Sequence, residues 1–226
     1  MSVVRIHPRP PSRLTVKTLN MKMYLSSFRL GNNPERLFNM VGGNKKIAVI
    51  ANATDFKPEE ERKAKVQAEI DALSSLGLKA EEIDLRKYFG KSDELKGKVD
   101  EFNAVWVRGG NTFLLRQAYM KSGFGEIVKS KVNDPDFVYA GYSAGVCLLS
   151  PDMHGLDLVD DPNPKAEGYG EMNTIWEGLA LIDFAFAPHY RSPGHPETEL
   201  IEKSVKYFED NNIPFKAISD GDVIII

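Results

Sequence analysis

Residues 137–149 read Phe-Val-Tyr-Ala-Gly-Tyr-Ser-Ala-Gly-Val-Cys-Leu-Leu, an apolar run that passes through Gly141-Tyr142-Ser143-Ala144-Gly145 and stays apolar beyond it. The first part suits a buried strand and the second a helix packed on a sheet, while glycines two residues to either side of Ser143 suit a sharp strand-to-helix turn. The same unit recurs along the chain. Short β-branched runs at 23–28, 46–51, 80–85, 103–107, 137–141, 183–187 and 222–226 alternate with helical patterns at 58–76, 111–121 and 197–211. That alternation predicts an α/β fold, a mostly parallel sheet flanked by helices.

The helical patterns carry their own punctuation. The first opens on Pro58 and three glutamates, places Val66, Ile70 and Leu73 at helical spacing and closes on Leu76-Gly77. The last puts Ile201, Val205 and Phe208 on one face, as a covering helix requires. The stretch 151–178 differs, with Pro151, Pro162, Pro164, four glycines and many acids. It predicts a long irregular excursion, and such loops in compact domains are usually functional.

Composition bounds the rest. The chain has 226 residues, 42% hydrophobic and 27% charged, enough to bury a sizeable core. Its net charge of −3 argues against a nucleic-acid footprint. No apolar run is long enough for a membrane helix. The single cysteine, Cys147, allows neither an intrachain disulfide nor a cysteine-cluster metal site and points to a reducing, cytoplasmic setting. Residues 1–20 hold Arg5, Arg9, Arg13 and Lys17, three prolines and no acid, and lack the apolar stretch of a signal peptide. They are expected to be an extension ahead of a single domain over 21–226, with translation starting at Met21 or Met23.

Ser143 at the expected turn is a candidate nucleophile, and a serine nucleophile needs a base. Of His7, His154, His189 and His195, only His189 ends a strand-like alternation, Asp183 to Pro188, where an α/β sheet exposes its reactive groups. His195 reads as a rim or substrate contact and His154 as solvated. A carboxylate should orient the imidazole. Asp152, Asp157, Asp160 and Asp161, all between serine and histidine, are the candidates, and periodicity does not choose among them. Val107-Arg108-Gly109-Gly110-Asn111-Thr112 leads a strand through two glycines into a helix, a geometry that offers backbone N–H groups to an oxyanion; the N–H of Ala144 would be the second donor. Cys147 reads as a buried small apolar position.

These pieces resemble the peptidase E, or aspartyl dipeptidase, family of serine exopeptidases, whose sheet is similar to that of class I glutamine amidotransferases. Tyr24-Leu25-Ser26-Ser27, Gly109-Gly110-Asn111-Thr112, Gly141-Tyr142-Ser143-Ala144-Gly145 and Pro188-His189-Tyr190 follow the family's order. The resemblance covers about residues 21–226. It implies Ser143 as nucleophile, His189 as base, Gly110 and Ala144 as oxyanion donors, and Asn111 facing the first substrate residue. It puts the triad acid nearest Asp157, with Asp160 in reserve. Aspartate-specific members resemble Gly-Glu-Thr-Arg after the histidine, whereas here Pro196-Glu197-Thr198 runs into Glu199. An acid there would repel an aspartyl substrate unless Arg191 or Arg108 reaches the pocket.

The expected function is therefore a cytoplasmic serine dipeptidase acting on short peptides, Asp-X dipeptides by resemblance, without metal or organic cofactor, as a monomer or homodimer. Two alternatives stand beside it: an esterase of the α/β-hydrolase type, and a non-catalytic binding domain on the same fold.

Overall fold

The computed structural model describes residues 20–226. The extension expected over 1–20 lies outside the described residues apart from Asn20. Strands β1 (Lys22–Ser26), β2 (Lys46–Ile50), β3 (Lys79–Glu82), β4 (Ala104–Val107), β5 (Val138–Tyr142) and an edge strand near the C-terminus form one six-stranded sheet. Counting β6 (Ala185–Ala187) and β7 (Phe215–Ala217) before it, that edge strand is β8 (Val223–Ile225), and the spatial order is β3-β2-β4-β5-β1-β8. Five strands run parallel; β8 alone is antiparallel, pairing Leu25 with Ile224.

Both faces of the sheet are covered. Along β4, Ala104 and Trp106 point to one face, with Leu37 of α1 (Pro34–Met40) and Leu73 of α2 (Glu59–Ser75). Val105 and Val107 point to the other. There α3 (Ser92–Val99), α4 (Thr112–Ser122), α5 (Phe124–Ser130), the single turn α6 (Ala144–Cys147) and α7 (Thr198–Asp210) supply the apolar partners. This period-2 alternation on strands buried on both faces explains why β2, β4 and β5 read as continuous apolar runs. The edge strand β3, Lys-Ala-Glu-Glu, is half exposed and keeps its charges.

Two expectations change. The run 183–187 does not join the main sheet: β6 pairs in parallel with β7, whose three residues carry no sequence signal, because β8 already occupies the free edge of β1. The helix expected after Ser143 is only one turn long before the chain enters the excursion at Pro151. Through 151–178 the backbone forms a single 3-10 turn, Leu156–Leu158, and one isolated bridge, Asp152 to Glu177.

Candidate active site

The C-terminal ends of β1, β4 and β5 meet at one edge of the sheet, and the chain turns sharply at each. Ser143 follows β5 directly with φ 50° and ψ −121°, a left-handed conformation that costs a non-glycine residue about 1–3 kcal/mol. Its N–H donates to Ser26 O at the end of β1, 3.3 Å away, which helps hold the turn. The flanking glycines are required by the neighbouring strand. A Cβ on Gly141 would lie 2.6 Å from Val107 O, and one on Gly145 would be driven into the same oxygen. A Cβ on Gly109 would meet Ser143 Cβ at 2.9 Å, so the β4 turn packs directly on the serine.

His189 follows β6 with φ 59°, again left-handed. Its Nδ1 lies 2.6 Å from Asp220 Oδ1, and its N–H donates to Ser27 Oγ at 2.8 Å. Ser27 Oγ in turn donates to Asp220 Oδ1 at 3.0 Å, and Asp220 N–H donates to Ser192 Oγ. One end of β1 therefore holds both the serine turn and the histidine–aspartate pair. The ring of Phe28 stands edge-on to the His189 imidazole at 5.6 Å, while His195 stacks on it at 4.4 Å. Burial lowers the His189 pKa, and the positive charge that His195 can carry lowers it further; Asp220 opposes both without overcoming them. The imidazole is thus neutral near pH 7, the form that can accept a proton.

Ser143 and His189 line one cavity of about 380 Å³, together with Gly110, Asn111, Asp160 and Glu197. Gly110 has φ 151° and is pressed against Ala53, to which Asn111 N–H donates at 2.9 Å. That Asn52–Thr54 turn is anchored by Asn52, which donates to Asp55 and Asp84, and by the buried ion pair of Arg62 with Asp55. Among the described residues the N–H groups of Gly110 and Ala144 have no partner within the chain, so both remain available to an oxyanion.

The structure does not bring either expected acid to His189. Asp157 is exposed and caps its own turn, accepting from Gly155 N–H at 2.8 Å. Asp160 accepts from Thr112 N–H at the start of α4, and burial raises its pKa to about 6. Neither meets His189; the carboxylate there is Asp220. Asn111 uses its side chain internally: Oδ1 caps α4 by accepting from Leu114 N–H, and Nδ2 donates to Asp161 O. Arg108 lines the cavity but pairs with Glu69 and donates to Gly109 O. Buried Glu69 also accepts from Trp106 Nε1 and Tyr142 Oη, which holds that arginine at the back wall. Arg191 is exposed, pairs with Glu202 and does not line the cavity; nor does Glu199. Sequence reasoning missed Asp220, and it gave no role to Ser27 although that residue stands in the Tyr24-Leu25-Ser26-Ser27 match. The available signal was weak: an aspartate in the Ser219-Asp220-Gly221-Asp222 turn just ahead of the last strand.

A serine on a strained strand-to-helix turn, a carboxylate-held imidazole and free backbone donors on a doubly covered parallel sheet define an α/β serine hydrolase. The family model of peptidase family S51 matches residues 26–226, and the chain belongs to that family of peptidases. It is 32% identical to an uncharacterized peptidase of Listeria monocytogenes over 71% of this chain and 73% of that one. It is 28% identical to a peptidase E of Streptomyces coelicolor over 62% of this chain and 54% of that one. The solved structure of a Listeria monocytogenes protein described as a candidate peptidase E superposes with a TM-score of 0.72 at 26% identity, covering 91% of this chain and 94% of that one. The enzyme is peptidase E-like. Among the described residues no helix is long and apolar enough to cross a membrane.

Proposed function

We propose that this chain is a serine dipeptidase, with Ser143 as nucleophile, His189 as base and Asp220 as the acid that orients it. The observation that carries the reading is the His189–Asp220 pair on the cavity that also holds Ser143. With Nδ1 engaged by Asp220, Nε2 is the nitrogen left to take the Ser143 hydroxyl proton as Oγ attacks the peptide carbonyl. The Gly110 and Ala144 N–H groups meet the oxyanion. His189 then returns the proton to the departing amine as the C–N bond breaks, and a water deprotonated by the same nitrogen releases the acyl group from Ser143.

The cavity wall supports a particular class of first residue. Asp160, Asp161 and Glu197 line it, whereas its one arginine, Arg108, is held by Glu69. Such a wall suits the free amino terminus of a peptide and disfavours an acidic first side chain. A relative described as a probable alpha-aspartyl dipeptidase, from Drosophila melanogaster, is 26% identical over 54% of this chain, and aspartyl preference is the competing expectation. The substrates proposed here are dipeptides with a neutral or basic first residue. A reducing cytoplasm suits the one buried, free Cys147. A single catalytic domain over 21–226 completes the reading.

The test is a chromatographic assay against dipeptides with Asp, Glu, Gly, Ala or Lys first, run beside Ser143→Ala. The expected result is turnover of the Ala and Lys peptides at least tenfold above Asp, absent in the variant. Preference for Asp would overturn the specificity, and turnover that survives in Ser143→Ala would overturn the mechanism. An α/β-hydrolase-type esterase is disfavoured by the chain order of serine, histidine and then aspartate, since that fold places its acid before the histidine.

A further inference from the structure

Beside the catalytic cavity lies a second, of about 910 Å³, between α2 and the loop that follows β1. Phe28, Arg108 and Tyr142 line both, so the two adjoin at the sheet edge next to Ser143. The Phe28 ring forms the partition. It stands edge-on to Tyr142 at 5.9 Å on one side and to His189 at 5.6 Å on the other.

The charges lining this groove are almost all satisfied internally. Lys65 pairs with Glu61 at 3.5 Å, and Glu69 holds Arg108. Arg29 is the exception: among the described residues it pairs with no carboxylate, and its guanidinium lies 5.1 Å from the Phe28 ring centroid. Its backbone is left-handed, φ 47°, immediately after the partition residue. A free guanidinium at the mouth of a groove is suited to bind a carboxylate, which it can grip through two parallel N–H donors.

We propose that this groove is the leaving-group subsite and that Arg29 binds the substrate's terminal carboxylate. The inference rests on the reading of Ser143 as a peptidase nucleophile. A dipeptide carries an ammonium at one end and a carboxylate at the other. The acids Asp160 and Glu197 line the catalytic cavity and the free cation borders the adjoining one, so the zwitterion fits in one direction across Ser143. Arg29 is a binding residue in this scheme and takes no part in proton transfer.

The experiment compares the best-cleaved dipeptide of the form Xaa-Leu with its amide, Xaa-Leu-NH2, in the wild-type protein, Arg29→Met and Arg29→Lys. The wild type is expected to favour the free acid about tenfold in kcat/KM, mainly through KM. Arg29→Met should raise KM on the acid by about that factor, leave kcat nearly unchanged and abolish the preference, while Arg29→Lys restores part of it. Equal kcat/KM for acid and amide in the wild type, or an unchanged preference in Arg29→Met, would overturn the subsite while leaving the peptidase reading intact. Hydrolysis of neither compound by the wild type would overturn both.

Discussion

His189 Nδ1 and Asp220 Oδ1 lie 2.6 Å apart although neither belongs to the main sheet's parallel strands, and the pair is clamped from below by Ser27 Oγ at the end of β1. The acid reaches the site because β8 runs antiparallel to β1. The turn that precedes β8 therefore falls at the edge where the parallel strands end.

Replacing Asp220 removes the group that sets the imidazole tautomer. Asp220→Asn should lower kcat by roughly 10²–10⁴ with little change in KM, the scale seen when a triad acid is neutralised. Asp157→Asn should stay within about twofold of wild type, since that carboxylate caps an exposed turn. Steady-state kinetics on one dipeptide would read both; a full loss in Asp157→Asn and none in Asp220→Asn would reverse the assignment.

With His189 as the proposed base, its lowered pKa should set the acidic limb of the activity profile. kcat/KM should rise with pH through a midpoint below the ordinary histidine value of about 6.5. His195→Ala removes one cause of the lowering and opens the ring to water, so its midpoint should move up. The same group is linked to folding: because the unfolded chain binds this proton first, its contribution to stability is present above about 6.5 and is lost as pH falls through the lower folded value. A pH–rate profile with an unmoved limb in His195→Ala would count against the stacking as a cause.

Asp160 works in the opposite sense. Its folded pKa of about 6 lies above the unfolded carboxylate value, so the folded state favours the protonated form and loses stability as pH rises from about 4 through 6. Asp160→Asn keeps an oxygen for Thr112 N–H and removes that loss. Its gain in unfolding free energy over wild type should be on the order of 1–2 kcal/mol at pH 8 and near zero at pH 4, measured by urea titration at both.

Backbone proximity separates the glycines. Gly145→Ala forces a methyl into the Val107 carbonyl and should cost about 2 kcal/mol or more in folding stability, along with activity. Gly97→Ala, inside α3 with open space around it, should gain about 0.5–1 kcal/mol and leave activity unchanged. Chemical denaturation with parallel assays would distinguish them.

The sequence by itself determined the core strands and the tight turn at Ser143. Continuous apolar runs at β2, β4 and β5 demand cover on both faces, and Gly141 and Gly145 around Ser143 allow the close approach of β5 and its turn to β4. These are local requirements, written in neighbouring residues. The acid on His189 was decided only in three dimensions. Asp157 lies much nearer in sequence to Ser143 and about as near to His189, yet Asp220 reaches the imidazole through strand order, and no local pattern around residue 220 encodes which strand end it will face. The orientations of Arg108 and Arg191 were equally hidden. A charge's availability to substrate depends on whether another side chain claims it first; Glu69 does so for Arg108 from a helix distant in sequence, and Glu202 does so for Arg191 from the next helix.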